Sequence, residues 1–404
     1  MKLFFTFLKY FFEIILAFLF YPIIVFYAII FRSSKGSNYR IVWGPNNLHT
    51  TKNNANLMKI YGFCSESYID EIQDNSGFDN YYFNKNNLYF KSIYRYVAFI
   101  DIIKRFDIIV TNFDGGFLRY TKLRMLEHFF LKIGSKKMVV WPYGGDSTIY
   151  TEVSDYSFRY GYYRAYPKNS LRELEIKSLI EYFNRHADFI IGNIPHHESI
   201  SRWDMLTVAC YGIDTNMWKP SDNYKSIADG VNQPVTIMHP TNHRHVKGTE
   251  LLIEACESLK KENLKIKLIV AENMSHLEVQ NQMKNCDIVA AQFLYGYALT
   301  EIEGMSLEKP VISNLENENY YQYVRNFSYL KDCPIISTRP EDLINELRCL
   351  VTDPALRQKI GKNGRTYVEK YHSASGQGLM WRNIFDYITR NTKKYPDNWW
   401  MEIS

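Results

Sequence analysis

The first regular feature along the chain is a stretch without charge, Ile14 to Phe31 (IILAFLFYPIIVFYAIIF), which aromatic residues extend back through Phe12 and Phe11 toward Lys9. Its length approaches the ~20 residues an α-helix needs to cross a hydrocarbon core. It is too long for the apolar part of a cleaved signal, and no Ala-x-Ala-like site precedes Ser33. Glu13 and Pro22 interrupt it, so a helix lying in the interface or entering one leaflet stands beside a full span. Arg32, Lys35 and Arg40 follow at once, and the positive-inside tendency leaves the bulk of the chain in the cytoplasm, with Lys2 and Lys9 pulling the other way.

Beyond Tyr39, short apolar runs alternate with longer helical patterns. Arg40 to Trp43, Asp107 to Thr111, Lys137 to Trp141 and Asp188 to Gly192 predict strands, and Gly44-Pro45-Asn46-Asn47 predicts a turn after the first. Helices are predicted over Lys122 to Ile133 and Leu171 to His186, the second opened by a Ser170-to-Glu173 capping box. The polar stretch Trp218 to Gln233 predicts a linker, after which the pattern restarts. Val235 to Met238, Leu264 to Val270, Cys286 to Ala291, Pro310 to Ser313 and Pro334 to Ser337 predict strands, and Thr249 to Lys260 puts Leu252, Ala255 and Leu259 on one helical face. Thr338-Arg339-Pro340-Glu341 caps a further helix, with Pro in its first turn. Strand-helix-strand alternation repeated twice predicts an α/β chain of two doubly wound parallel sheets facing each other across a cleft.

Charge narrows the partners. Among 404 residues, 48 Lys+Arg stand against 43 Asp+Glu, a formal net charge of +5 spread evenly, which argues against a nucleic-acid partner. The 6 cysteines are scattered without metal-ligand spacing, so they read as reduced, packed thiols. Gly-x-Gly-x-x-Gly, the phosphate-loop pattern, Asp-x-Asp, His-Glu-x-x-His and Gly-x-Ser-x-Gly are all absent. His196-His197-Glu198 lacks a third ligand at a suitable spacing, and no metal site is expected.

Two segments carry the chemistry. In His239 to Glu250 (HPTNHRHVKGTE), a strand end passes through a basic turn into a helix, so that Arg244 and Lys247 join the free N–H groups near Gly248 and Thr249 in a place suited to a diphosphate. A solvated basic turn is the competing reading. In Gln292 to Ile312, a glycine turn leads into a short helix with acidic side chains, and Lys309-Pro310-Val311-Ile312 re-enters a strand. Together these segments resemble the donor half of GT-B glycosyltransferases of the retaining family-4 type. Gly296, Leu299, Thr300, Glu303, Met305, Pro310 and Val311 match that family's pattern, whereas Tyr295 stands where its first Glu belongs. Gly212 to Thr215 and the segment from Asp353 through Arg357, Gly361, Gly364 and Arg365 match as well.

The resemblance implies that Arg244 and Lys247 neutralise the donor diphosphate, that Gly248 and Thr249 add helix-start dipoles, and that Glu303 accepts from the ribose. Tyr295, Gly296 and Thr300 complete the donor site. In the first half, Trp141-Pro142-Tyr143-Gly144-Gly145-Asp146 lies where the family often carries His-Gly-x-Asp. Asp146 is thereby a candidate catalytic residue, and Tyr143, Gly144, Gly145, Gly44, Asn46 and Asn47 become candidates for an acceptor or phosphate loop, with a plain turn as the alternative at Gly44. The expected organisation is a membrane-associated segment 1–36, an acceptor domain 37–216, a linker 217–233, a donor nucleotide-sugar domain 234–375, and a tail 376–404 returning to the first domain. The implied activity is transfer from a nucleotide-sugar to a glycolipid or polysaccharide acceptor at the cytoplasmic face of a membrane, with no cofactor beyond the donor. A GT-B epimerase and a catalytically silent binding subunit are the alternatives.

Overall fold

The structure is a computed structural model and describes residues 2–33, 39–71, 78–83, 91–194, 196–221, 226–294 and 296–396. Tyr295, Lys35 and the last residues of the expected tail, 397–404, lie outside the described residues. The chain opens with α1 (Lys2–Ile30), β1 (Arg40–Trp43), α2 (His49–Ile60), β2 (Cys64–Glu71), β3 (Asn80–Phe83), α3 (Lys91–Arg105) and β4 (Ile108–Thr111). It continues with α4 (Glu127–Ile133), β5 (Lys137–Val140), α5 (Tyr156–Ala165), α6 (Pro167–Ser170), α7 (Glu173–His186), β6 (Phe189–Asn193) and β7 (Met205–Thr207). Next come β8 (Val235–Pro240), α8 (Arg244–Lys247), α9 (Thr249–Lys261), β9 (Ile266–Ala271), α10 (His276–Lys284), β10 (Ile288–Ala290), α11 (Leu299–Ser306) and β11 (Val311–Ser313). The last elements are α12 (Tyr321–Asn326), β12 (Ile336–Ser337), α13 (Leu343–Thr352), α14 (Pro354–Tyr371) and α15 (Ala374–Ile388).

Two compact units result. Among the described residues, unit 1 comprises 2–148, Leu174–Leu206 and 378–396, and unit 2 comprises Ile149–Glu173 and Thr207–Gln377. The first unit holds a sheet of order β3-β2-β1-β4-β5-β6-β7, whose ladders from β3 to β6 are parallel. Every residue of β4 is buried, the pattern of a parallel strand covered on both faces. The second holds β12-β11-β10-β8-β9, all four ladders parallel. Leu252, Ala255, Cys256 and Leu259 of α9 pack with Val235, Ile237, Ile288 and Ile312 in its core.

In unit 1, α1 runs along α3 and α4. Leu16, Ala17, Ile24 and Ala28 are buried on one face, Phe20 stacks on Tyr96 (4.7 Å), Tyr21 meets Phe130 edge-on (5.5 Å), and Glu13 accepts from Ser92 Oγ (2.5 Å). The opposite face is bare, with Phe18 77% and Phe26 59% exposed.

Several sequence expectations change. The predicted domain boundary at 216 moves to Leu206, and the insert Ile149–Glu173 belongs to unit 2, where Asp155 bonds Asn317 Nδ2 (3.1 Å) and Tyr166 packs on His243 (4.7 Å). The predicted linker is part of unit 2: Trp218 is 2% exposed, Ser226 Oγ donates to Asp287 (2.7 Å), and buried Arg357 bonds Ser226 Oγ (2.8 Å) and the Ala228 carbonyl. Ser226 and the Ala228 carbonyl thus answer polar partners inside the fold, while Lys219, Asn232 and Gln233 stay exposed. The Ser170 capping box does not form, because Ser170 Oγ donates to Pro167 O (2.7 Å) and Glu173 accepts from Thr151 N (3.0 Å), so α7 starts at Glu173. Thr338 likewise donates to Arg339 O (2.9 Å) instead of capping. Of the cysteines, all free, Cys64 and Cys349 are exposed and the other four are buried.

Candidate functional site

Parallel sheets place chemistry beyond the carboxyl ends of their strands, where the strand order reverses. In unit 2 that point lies between β8 and β10. His239, the penultimate residue of β8, spans it: Nδ1 lies 2.8 Å from Ala290 O and Nε2 2.9 Å from Thr249 Oγ1. A carbonyl only accepts, so Nδ1 carries the hydrogen and Nε2 accepts from the threonine. Burial, then nearby Lys247, pushes this imidazole down to about 3 and keeps it neutral.

The turn after β8 reaches α9 through Gly248, whose φ of 71° and ψ of 37° are left-handed. Lys247 sits just before it. Its Nζ donates to Pro240 O (2.8 Å) and Thr300 Oγ1 (3.1 Å), leaving the third N–H of the ammonium for an anion. Burial lowers its affinity for the proton, and Glu301 and Glu303 oppose that. The first N–H groups of α9 lack intrahelical acceptors and lie beside it.

Arg244 is placed differently. Its guanidinium is held by Glu250 (2.7 Å) and Glu272 (3.2 Å) on a partly exposed surface, so Lys247 alone of the expected cation pair points to Thr300. Such exposed pairs are weak, of the order of 1 kcal/mol or less, and a ligand phosphate can compete for them.

From the other side comes α11. Glu303 is 4% exposed and its Oε1 lies 2.7 Å from His276 Nε2, while Oε2 makes no hydrogen bond among the described residues. The His276 ring packs against Trp218 at 5.2 Å. Glu301 is buried: Ser313 Oγ donates to it at 2.8 Å and the Ala298 N–H at 3.1 Å, and burial pushes its carboxyl up to about 7 against the pull of Lys247. Gly296 has φ 110°, and a Cβ there would lie 2.1 Å from the Tyr321 ring. Behind α11, a Cβ on Gly361 would lie 2.0 Å from Glu308 O, and Arg365 donates to Ser306 O (2.9 Å) and Trp218 O (2.7 Å), so the motif in α14 holds α11 in place.

The unit 1 sheet reverses between β1 and β4, and Asn46 Nδ2 donates to Asn112 Oδ1 (3.1 Å) across that point. Gly44 is required by packing: a Cβ would lie 1.9 Å from Tyr68 O. Buried Arg119 donates to Asn46 Oδ1 and pairs with Asp70 (2.6 Å) and Asp114 (3.2 Å), and Tyr143 OH donates to Asp114 (3.0 Å). Asn47 lies partly buried after Asn46, and Gly144 and Gly145 are partly exposed at the end of β5. Asp146 is 2% exposed and accepts from the N–H groups of Phe113 (2.9 Å), Gly144 (3.0 Å) and Tyr143 (3.1 Å). Burial, then Asp114, pushes it up to about 7. It ties the loops after β4 and β5 together and acts as a positioning residue there. His196, neutral because burial pushes it down to about 3, bonds Thr148 Oγ1 (3.1 Å) rather than a metal site, and among the described residues no three candidate ligands converge.

The structure thus gathers Lys247, Gly248, Thr249, Thr300 and Glu303 in unit 2 and a separate polar network of Asn46, Tyr143 and Asp146 in unit 1. Sequence reasoning missed His239, His276 and Glu301. His239 carried a signal, as the last polar residue of an apolar strand; His276 carried none.

No family model and no curated relative matches the chain. Solved structures share its architecture. HepE from Anabaena in complex with UDP-glucose superposes with a TM-score of 0.54 at 14% identity, covering 86% of this chain and 99% of that one. An alpha-glucosyltransferase in complex with UDP and DNA gives 0.53 at 11% identity, covering 87% and 100%. A Listeria monocytogenes protein described as a UDP-N-acetylglucosamine 2-epimerase gives 0.50 at 11% identity, covering 90% and 99%. The chain has the GT-B fold, built from two doubly wound parallel sheets.

Proposed function

We propose that this chain is a glycosyltransferase that moves a sugar from a nucleotide-sugar donor to a lipid-linked or surface-polysaccharide acceptor at the cytoplasmic face of a membrane, with retention and without a metal ion. The reading rests on the half-buried Lys247, which faces Thr300 across the start of α9. Lys247 and the first N–H groups of α9 take the donor diphosphate, and Glu303 Oε2 accepts from the ribose hydroxyls. As the bond between sugar and phosphate breaks, charge grows on the leaving oxygen, where a fixed ammonium and helix dipoles stabilise it without reorganising. The leaving phosphate then accepts the acceptor's proton, so Asp146 need not act as a base. The apolar face of α1, with the opposite face packed on α3 and α4, favours a helix lying in one leaflet over a span.

A panel of nucleoside diphosphates and nucleotide-sugars, read by thermal shift, tests the donor site, since a ligand stabilises by RT ln(1 + [L]/Kd). Lys247→Met should weaken binding roughly ten- to a hundredfold by removing a charge-assisted contact worth ~1.5–3 kcal/mol. Glu303→Gln should cost about 1–2 kcal/mol of donor affinity while keeping the bond to His276. Unchanged affinity in both folded variants rejects the site. Conversion of donor without an acceptor identifies an epimerase, and tight binding without turnover a silent subunit.

A further inference from the structure

A cavity of about 1440 Å³ lies in unit 1 at the edge of the sheet opposite the carboxyl ends just described. Arg40, Lys137 and Met138 border it at the starts of β1 and β5, Asp107 and Asp188 just before β4 and β6, and Ile30 and Phe31 where α1 ends. Eight of its lining residues are Lys or Arg and two are Asp.

Both carboxylates are already engaged. Asp188 accepts from Lys137 (2.6 Å) and the Met138 N–H (2.9 Å), and Asp107 from Ser33 Oγ (2.6 Å) and from the Arg40 N–H (3.0 Å) and Nε (3.2 Å). Lys136 is left short. Its side chain is 1% exposed, and its ammonium makes no hydrogen bond and pairs only at 3.6 Å with Asp107 Oδ1. Burial pushes this lysine down to about 8 against the pull of the Asp107 carboxylate, with Arg40 adding to the effect. A buried ammonium held by one long ion pair and no hydrogen bond is poorly satisfied, and an anionic oxygen entering the cavity would complete it. The sheet edge excludes the donor site as the source of that oxygen.

The position beside α1 says what carries it. Ile30 is 55% and Phe31 36% exposed, and Lys104 Nζ stands 5.4 Å from the Tyr27 ring and 5.8 Å from the Phe31 ring. An apolar helix face therefore ends directly at a cationic cavity, the order in which acyl chains give way to headgroups. We propose that this cavity holds the phosphate of an anionic lipid headgroup, with Lys136 donating to a phosphate oxygen and Lys132 and Arg390 at the rim. This rests on the in-leaflet reading of α1 and is independent of the donor site.

The test uses the full chain and co-sedimentation with phosphatidylcholine vesicles, with and without phosphatidylglycerol, and thermal shift with soluble glycerol phosphate. Wild type should prefer the phosphatidylglycerol vesicles. The exposed double variant Lys132→Ala/Arg390→Ala should weaken that preference by about fivefold per cation, and Lys136→Met should abolish most of it. Neither should change binding to pure phosphatidylcholine, which reports α1 alone. Preference retained in Lys136→Met and in the double variant overturns the cavity in favour of diffuse attraction. Stabilisation by glycerol phosphate with no gain from phosphatidylglycerol overturns the lipid source in favour of a free phosphate. No binding to either vesicle removes the in-leaflet reading, and this proposal with it.

Discussion

Glu301 shows how a side chain on the hydrophilic scale becomes part of a core. Burial pushes its carboxyl, like those of Glu127 and Asp146, up to about 7. Between an unfolded value near ~4.3 and about 7, the folded state keeps protons that the unfolded chain gives up, so each group's contribution to stability is lost as pH rises through that window. His196 and His239 (about 3) and His372 (about 4) have the opposite sign, adding stability as pH rises toward the unfolded value of ~6.5. The two sets offset each other below ~6.5, so a difference between variants isolates one group. Glu301→Gln should gain on wild type by up to about 3 kcal/mol as pH rises from ~5 to ~8, read from urea midpoints, and a pH-independent difference would contradict the buried-acid assignment. Gly296→Ala is the steric counterpart. With φ 110° and the Tyr321 ring 2.1 Å from the new Cβ, it should destabilise by about 2–4 kcal/mol in a melting experiment.

At the scale of elements, α1 packs one face and bares the other. Its packing on α3 and α4 means that deleting it would uncover Tyr96 and Phe130, both buried, so a truncated chain is a poor probe of membrane binding. Substitutions by face are cleaner. Phe18→Glu with Phe26→Glu should release the protein from neutral vesicles in a sedimentation assay and leave stability within about 0.5 kcal/mol. Ile24→Glu, at 0% exposure, should destabilise by several kcal/mol, roughly 3 or more, because it buries a carboxylate against α3 and α4. Equal effects on both faces would mean that α1 does not pack as described.

For the whole molecule, the two units divide the labour along the chain in a way hydrogen exchange can read. With a bound nucleoside diphosphate, protection should rise in His239 to Glu250 and across α11, both in unit 2. Protection confined to the loops after β1 and β5 would move the donor to unit 1. In the same experiment Ile149–Glu173 should exchange with unit 2, whose fold includes it, although the chain reaches it before β6.

The sequence by itself determined the alternation of strands and helices, the apolar first helix, and the basic turn from His239 to Thr249, because periodicity and glycine placement are local properties of the chain. It also marked Glu303 and Gly296 through a resemblance. Only the tertiary structure decided which polar groups meet. Trp218 to Gln233 reads as a linker until Asp287 and Arg357 reach it from 61 and 131 residues away. Arg244 reads as the equal of Lys247 until Glu250 and Glu272 claim it. Lys136 looks like any surface lysine in Ser135-Lys136-Lys137, and the structure buries it 3.6 Å from Asp107. Burial and partnership are set by contacts between residues distant in sequence, and a local pattern carries no record of them.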